Sequence, residues 1–323
     1  MNNLKKINSL VFSEHEFHRV ICKYEIHKSS SSIDELYEKI YRLFDKKLID
    51  KISSEADKTN LLLNKFNYSY LTYFDSNYPP LLKEIHDPPI ILFYKGDSSI
   101  LKLSHTGIVG TRKPSPLSLS ATTSIVTMLA SRSNSGIISG LANGIDREAM
   151  ISSIQKNIPT IGVMGTGFDK EYPSSNKDLY QLMKNSSETL LLTETKPGEK
   201  IGKWSFPKRN RIITGIAESL ILMEAPLESG AMSSASHAIS QNRDILVFDD
   251  ESLKFNQGGR KLLEDGAKRL TKQDMSGNSK IVHLSDILPD APENISKSIA
   301  FLSKLEFEGK VKDRGGGYFE FFE

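Results

Sequence analysis

From Thr106 onward the chain alternates short, continuously apolar runs with helical stretches, and this alternation leaves few folds open. The strand candidates are Thr106 to Val109, Gly136 to Ile138, Thr160 to Met164, Thr189 to Leu192, Ser219 to Met223 and Asp244 to Phe248. Helical stretches separate them: Leu117 to Arg132, Gly144 to Gln155, Ser175 to Asn185 and Ala231 to Gln241. Strands with no polar alternation are buried on both faces, and intervening helices supply the cover. The expected fold is α/β, a Rossmann-like, doubly wound, mostly parallel sheet. In such sheets ligands bind outside the carboxyl ends of the strands, so the residues after each strand are the ones to inspect.

Glycine separates this region from what precedes it. None of the 21 glycines falls before Gly96. Residues 1–65 read as a small helical domain. Ile33 to Ile52 places Leu36, Ile40, Leu43, Phe44 and Leu48 on one face, with Ser32 as N-cap and Glu35 completing a capping box. A helix-hairpin-helix DNA motif needs glycines in its turn, so this domain is expected to contact protein rather than DNA. Tyr78-Pro79-Pro80 and Asp87-Pro88-Pro89 are turns, and Ile90 to Tyr94 is a buried strand leading into the sheet. The sheet domain is expected over 66–275. Over 276–323, a helix from Ser296 to Glu308, the glycine turn at 315–317 and the aromatic run Tyr318 to Phe322 suggest a short winged-helix-like element.

Composition narrows the function classes. With 323 residues, 38% hydrophobic and 25% charged, the chain suits two ordinary soluble domains of roughly 150 residues each. The single cysteine, Cys22, excludes an internal disulfide. No His pair has the i, i+4 spacing of a helical metal-ligand pair, and no metal or cofactor is expected. Neither a membrane span nor a signal peptide is legible, which points to a cytoplasmic protein. Lys and Arg total 42 against 40 Asp and Glu, so nucleic-acid binding must rest on local clustering rather than net charge.

Anion chemistry recurs after the strands. Gly110 allows a sharp turn, and Arg112, with Lys113 beside it, stands at the ligand edge before a helix, where a guanidinium can grip a phosphate. Ser139-Gly140 through Gly144 offers backbone N–H groups and a hydroxyl, with Asp146 placed to cap the helix or orient an arginine. Gly162, Gly165 and Gly167 do not form the dinucleotide fingerprint, and no P-loop exists. Ser229-Gly230 again enters a helix.

Between Lys196 and Arg211 stand six basic side chains, namely Lys196, Lys200, Lys203, Lys208, Arg209 and Arg211, against Glu199 alone. Trp204 and Phe206 are interleaved with them. Cations following phosphates and rings stacking on bases describe a single-stranded nucleic-acid site. A solvated basic loop with its aromatics tucked inward fits equally well. Glu224, at a strand end, could be an acid, but holding Arg209 or Arg211 is the preferred reading.

Taken in order, G-T-R-K-P, S-G-L-A-N-G-I-D, G-T-G-F-D-x-x-Y-P-x-x-N, F-P-K-R-N-R-I-I-x-G, M-E-A and S-G-A-M-S-S-A resemble the DNA-processing protein A family, also called Smf. The likeness runs from about Tyr70 to Ala267. It implies a single-stranded DNA-binding, dimeric, non-catalytic protein. Such a protein protects incoming DNA and helps load the RecA recombinase in natural transformation and recombination. Carried over residue by residue, the implied DNA contacts are Arg112, Lys113, Ser139, Gly140, Gly144, Gly165, Lys203, Phe206, Lys208, Arg209, Asn210, Arg211, Ser229 and Gly230. Asp146 and Glu224 organise the site. The chain departs from the family pattern at Met150, at Ser234-Ala235 and at Asp249-Asp250, where two carboxylates add negative charge near the sheet edge.

Two other readings remain. A nucleotide-processing enzyme, such as a nucleoside-monophosphate phosphoribohydrolase, would need Glu224 as its acid, and the chain lacks the P-G-G-x-G-T-x-x-E loop of those enzymes. A protein-interaction scaffold would have lost the ligand of its sheet.

Overall fold

The computed structural model describes residues 25–43, 69–130, 134–202, 204–270, 280–283, 301–306, 311–315 and 318–321. Seven parallel strands form the body of the sheet: β3 (Ser104–Val109), β4 (Ser135–Ser139), β5 (Thr160–Val163), β6 (Thr189–Thr193), β7 (Ser219–Leu222), β8 (Asp244–Phe248) and β9 (Lys268–Leu270). Two further strands, β1 (Ser69–Thr72) and β2 (Ile91–Gly96), extend the β6 edge in antiparallel fashion. The order is β1-β2-β6-β5-β4-β3-β7-β8-β9. Chain direction across the sheet therefore reverses between β3 and β7, the switch point of a doubly wound fold.

Alternate residues of each strand feed opposite faces, which is why the strands carry no polar alternation. Ile108, Ile137, Ile221 and Leu246 pack with helices α3 (Pro116–Ala130) and α4 (Ile145–Gln155). The neighbouring residues Val109, Leu220, Leu222 and Val247 meet α7 (Gly230–Ser240) on the other side. Ile138, Ile161 and Leu190 meet α6 (Ser205–Ile216), beside the short helix α2 (Pro80–Lys83). Helix α5 (Lys177–Asn185) covers Leu191 through Leu179, Tyr180 and Met183. Small residues on α7, Ala231, Ser234, Ala235 and Ala238, are buried and let α6 and α7 approach closely.

All six strand candidates and the strand near Ile90 to Tyr94 form, with ends displaced by two residues at most. Among the elements not anticipated are β1, β9, the short helix α2 and the helix α8 (Gln257–Glu264). The larger correction concerns the basic stretch. Ser205–Ile216 is a mostly buried helix, not a loop. Its concentration of Lys and Arg masks the Ile212, Ile213 and Ile216 face that seats it on the sheet.

At the N-terminus, α1 (Ile33–Leu43) forms as expected, and residues 44–52 of the anticipated helix lie outside the described residues. The Ser32 hydroxyl accepts from Glu35 N (3.2 Å), but the Glu35 carboxylate reaches Ser31 N (2.7 Å) instead of completing the box at Ser32. Leu36, Tyr37 and Ile40 pack on Ile90, Ile91 and Phe93, so α1 lies against the antiparallel edge of the sheet. At the C-terminus, β10 (Lys280–His283), β11 (Val311–Gly315) and β12 (Tyr318–Phe321) form an antiparallel sheet in the order β10-β12-β11, and residues 301–306 are helical. The expected aromatic strand is β12, and β10 and β11 are additional.

His105, on β3, is 1% exposed with its ring against Gly136. Burial pushes its imidazole down to about 4 from the ordinary 6.5. The unfolded chain takes up this proton near pH 6.5 while the folded chain resists it. The stability linked to His105 is therefore complete above that pH and is lost as pH falls towards 4. At about 1.4 kcal/mol per pH unit the loss approaches ~3 kcal/mol. Urea unfolding of the native chain and of His105→Leu between pH 7 and 4.5 measures it; the native curve is expected to fall more steeply.

Candidate nucleic-acid interface

At the switch point the loops after β3, β4, β5 and β7 and the first turns of α6 and α7 enclose a cleft of about 900 Å³. Its position follows from the fold. Crossovers leave β3 and β7 in opposite directions, and the sheet splays open between them. The loop 110–115 forms one wall and the 226–230 loop another.

Glu224 shapes the first wall. It is 1% exposed; its carboxylate accepts from Ser115 N (2.8 Å), and its backbone carbonyl accepts from Thr111 N (2.7 Å). The expected role of holding Arg209 or Arg211 is not what the structure shows. Glu224 instead anchors the loop carrying Arg112 and Lys113 and places a carboxylate at the N-terminus of α3, where the helix dipole favours it. Gly144 supports the same loop from below. Its φ is +81°, and a Cβ there would lie 2.4 Å from Thr111 O. Arg112 and Lys113 consequently project, exposed, at the cleft mouth, and neither forms an ion pair with another of the described residues.

The floor is built around Arg209. This side chain is 7% exposed, and its guanidinium donates to the carbonyls of Gly140 and Val163. Burial lowers its pKa, and Arg112 nearby adds to the effect, while Asp146 opposes it. Asp146 is also buried. Burial raises its pKa, countered by Arg209 and by the backbone N–H groups of Gly140, Ala142 and Gly110. One carboxylate thus fastens the turns after β3 and β4 under the arginine.

The remaining wall is aromatic. Phe206 and Tyr172 meet with ring centroids 4.9 Å apart, tilted by 35°. Tyr172 is 41% exposed, and its carbonyl accepts from Tyr180 Oη (2.8 Å). Phe255, from the loop after β8, faces the cleft with 64% of its surface open. Tyr172 and Phe255 were not among the residues expected from the sequence. Both stand in segments that follow a strand; Tyr172 also lies within the motif G-T-G-F-D-x-x-Y-P-x-x-N, whereas for Phe255 position was the only signal.

Several expected contacts lie elsewhere. Ser139 is fully buried, with its hydroxyl donating to Ile108 O (2.7 Å). Two N–H groups of this segment are already occupied: Gly140 N donates to Asp146 (3.2 Å) and Ile145 N, at the start of α4, to Thr111 O (3.2 Å). Gly140 and Gly165 make room rather than contacts, since a Cβ would lie 2.7 Å from the Arg209 guanidinium or 2.8 Å from the Phe206 ring. Arg211 is 2% exposed and paired with Asp87 (2.7 Å) and Glu194 (2.8 Å). Lys208 pairs with Glu194 at 3.1 Å. Both point away from the cleft, because residues one and two positions from Arg209 are turned about 100° and 200° around the helix. Lys203 lies outside the described residues.

Asn210, Ser229 and Gly230 do line the cleft; Asn210 Nδ2 donates to Gly230 O (3.3 Å), and Ser229 caps α7. The divergent Asp249 is neutralised by Arg260 (3.3 Å) and Arg269 (3.0 Å), so its charge does not reach the cleft uncompensated. Among the described residues no cluster of three or more His, Cys, Asp or Glu could hold a metal, and no helix is long and apolar enough to cross a membrane.

Comparison with known proteins agrees with this architecture. DNA processing protein DprA of Streptococcus pneumoniae is 34% identical over 218 residues, covering 67% of this chain and 76% of that protein. The Bacillus subtilis DprA is 38% identical over 195 residues, 60% of this chain and 65% of its own length. The solved S. pneumoniae structure superposes with a TM-score of 0.69 at 28% identity, covering 85% of this chain and 96% of that one. DNA processing protein A of Helicobacter pylori, solved to describe its single-stranded DNA binding mode, gives a TM-score of 0.57 at 31% identity. That match covers 62% of this chain and 90% of that one. Residues 69–279, the whole sheet with its cleft, match the family described as DNA recombination-mediator protein A, and the chain belongs to that family.

Proposed function

We propose that the chain is a non-catalytic single-stranded DNA-binding protein. In this reading it protects incoming DNA and helps load a RecA-type recombinase during natural transformation and recombination, as a homodimer, with residues 66–275 as its DNA-binding unit. The observation that carries the reading is the make-up of the cleft. Its interior is mostly apolar and aromatic, and the exposed cations Arg112 and Lys113 stand at its mouth. A base is flat, apolar on its faces and neutral, which suits the wall of Tyr172, Phe206 and Phe255. A phosphate needs charge with free donors, which Arg112 and Lys113 supply at the rim. Arg209 acts from the floor, where its guanidinium is already fixed by Gly140 and Val163.

The two buried carboxylates around the cleft are committed to structure, and Glu228, the exposed carboxylate of its lining, stands on the outer loop 226–230. Glu224, the acid required by the enzyme reading, is buried and committed to Ser115 N. Asp146 lies beneath Arg209, fastened by backbone N–H groups. The relatives support the same direction through the H. pylori protein and its single-stranded DNA binding.

Fluorescence anisotropy of a labelled oligothymidine at several salt concentrations tests the proposal. With about three to five phosphates neutralised, the slope of log K against log salt is expected near −2 to −3.5. Affinity should then fall roughly tenfold to a hundredfold between 50 and 200 mM, with duplex DNA and AMP competing poorly. A flat salt profile, or equal competition by AMP, would overturn it.

A further inference from the structure

We infer that Phe255 holds a second base of the DNA strand, separate from the base at Tyr172 and Phe206, so that the cleft grips two nucleotides with Arg112 between them; this rests on the reading of the cleft as a single-stranded DNA site. Strand order carries the separation. Tyr172 follows β5, Arg112 follows β3 and Phe255 follows β8, in a sheet that runs β5-β4-β3-β7-β8 along this edge. With neighbouring strands about 4.8 Å apart, the segments carrying Tyr172 and Phe255 leave the sheet roughly 19 Å from each other, and the Arg112 loop leaves midway. One flat base does not reach from ring to ring. The cleft of about 900 Å³ takes a drug-sized ligand, and so has room for more than a single base.

Phe255 is held out by its neighbours. A phenyl ring usually goes to the core, yet 64% of this one is open. The backbone on both sides of it is pinned. Before it, Leu253 is buried in the core beside Phe248, and its carbonyl accepts from Arg260 Nη2 (2.8 Å). After it, Asn256 is fully buried. Its Nδ2 donates to Phe248 O (3.1 Å), and its Oδ1 accepts from Ala225 N (3.0 Å), at the root of the 226–230 wall. A ring carried by a fixed backbone has only its two side-chain torsions left to settle, so little freedom is lost when a base stacks on it.

The charge along this path suits a strand. Arg112 and Lys113 stand, exposed, on the loop between the two aromatic stations. Lys254, exposed next to Phe255 in sequence, offsets the exposed Glu251 of the same loop. Glu228 is the exposed carboxylate of the cleft lining that opposes a phosphate. Base, phosphate, base is the repeat of a single strand, and ring, cation, ring is its complement. Any base serves, since every base presents a π-face.

The test is a double-variant cycle on the full chain, read by anisotropy of a labelled oligothymidine of about 20 nucleotides, longer than a typical single-module site. Phe255→Ala and Tyr172→Ala are each expected to lower affinity about tenfold. The double variant is expected to lose about a hundredfold, because separated sites with no shared partner contribute independently. Two rings on one base would instead leave the double variant hardly weaker than either single one. Phe255→Tyr, which keeps the ring, is expected to bind like the native chain. Phe255→Leu, which keeps apolar bulk without a π-face, should behave like Phe255→Ala. Thermal unfolding should be unchanged in all Phe255 variants, since the ring is exposed. Native affinity in either alanine variant or in Phe255→Leu, a double variant no weaker than the single ones, or a fall in Tm that accompanies the loss would each overturn the inference. If Arg112→Glu weakens binding while Phe255→Ala does not, the inference fails and the cleft reading stands. No binding by the native chain at low salt removes both.

Discussion

Arg112→Glu is expected to lower affinity for an oligothymidine by about a hundredfold at low salt, while leaving thermal stability unchanged or slightly raised. Hydrogen bonds from a guanidinium to a phosphate contribute about 1.5–3 kcal/mol, and reversal adds repulsion where attraction stood. The stability side follows from the packing. Arg112 is exposed, has no ion pair among the described residues and lies close enough to Arg209 to depress the pKa of that buried arginine. Removing the positive charge relieves this repulsion, so the folded chain loses nothing. A residue whose removal costs binding and no stability is the mark of a site kept for function. Anisotropy and thermal unfolding of the same preparation give both quantities. Native affinity in the variant would remove Arg112 from the site, and a large fall in Tm would mean that its loop had collapsed.

Arg211→Met should do the reverse. Arg211 stands 2% exposed between Asp87 and Glu194. Burial opposes its charge, but the Glu194 and Asp87 carboxylates outweigh that and raise its pKa. Deleting one member of a buried ion pair costs about 3–5 kcal/mol; here Glu194 keeps Lys208 and Asp87 is half-exposed, so a cost near the lower end, about 3 kcal/mol, is expected. At roughly 2–4 °C per kcal/mol in a chain of this size, Tm should drop by about 10 °C. DNA affinity, measured well below that temperature, should stay near native. A variant with native Tm and weakened binding would make Arg211 a DNA contact after all.

These two arginines show how far the sequence could be read. The strands were legible because a strand buried on both faces must be apolar at every position, as in Thr189–Thr193 and Ser219–Leu222. The cleft's location followed from strand order. Arg112 and Lys113 were legible because only a few residues can follow β3 at the sheet edge. Glu224 was identified as an organiser, but its partner was not. The ring of groups it serves closes through Ser115, 109 residues away in sequence. Gly140 reads as part of an anion-binding turn and Gly165 is carried over from the resemblance as a DNA contact, since a glycine beside a strand end looks the same whether it yields space to a ligand or to a neighbouring side chain. Here the neighbours are Arg209 and Phe206.

By itself, then, the sequence determined the doubly wound sheet, the edge at which a ligand is met and the basic, aromatic chemistry gathered there. These are local properties, fixed by burial along each strand and by what must follow it. Only the tertiary structure decided which cations face the cleft. Arg209 and Arg211 are two residues apart in one basic run, and helical geometry turns them about 200° from each other. The seating of Ile212, Ile213 and Ile216 on the sheet sets the rotation of α6. That rotation sends Arg209 to the cleft floor and Arg211 into a buried pairing with Asp87 and Glu194.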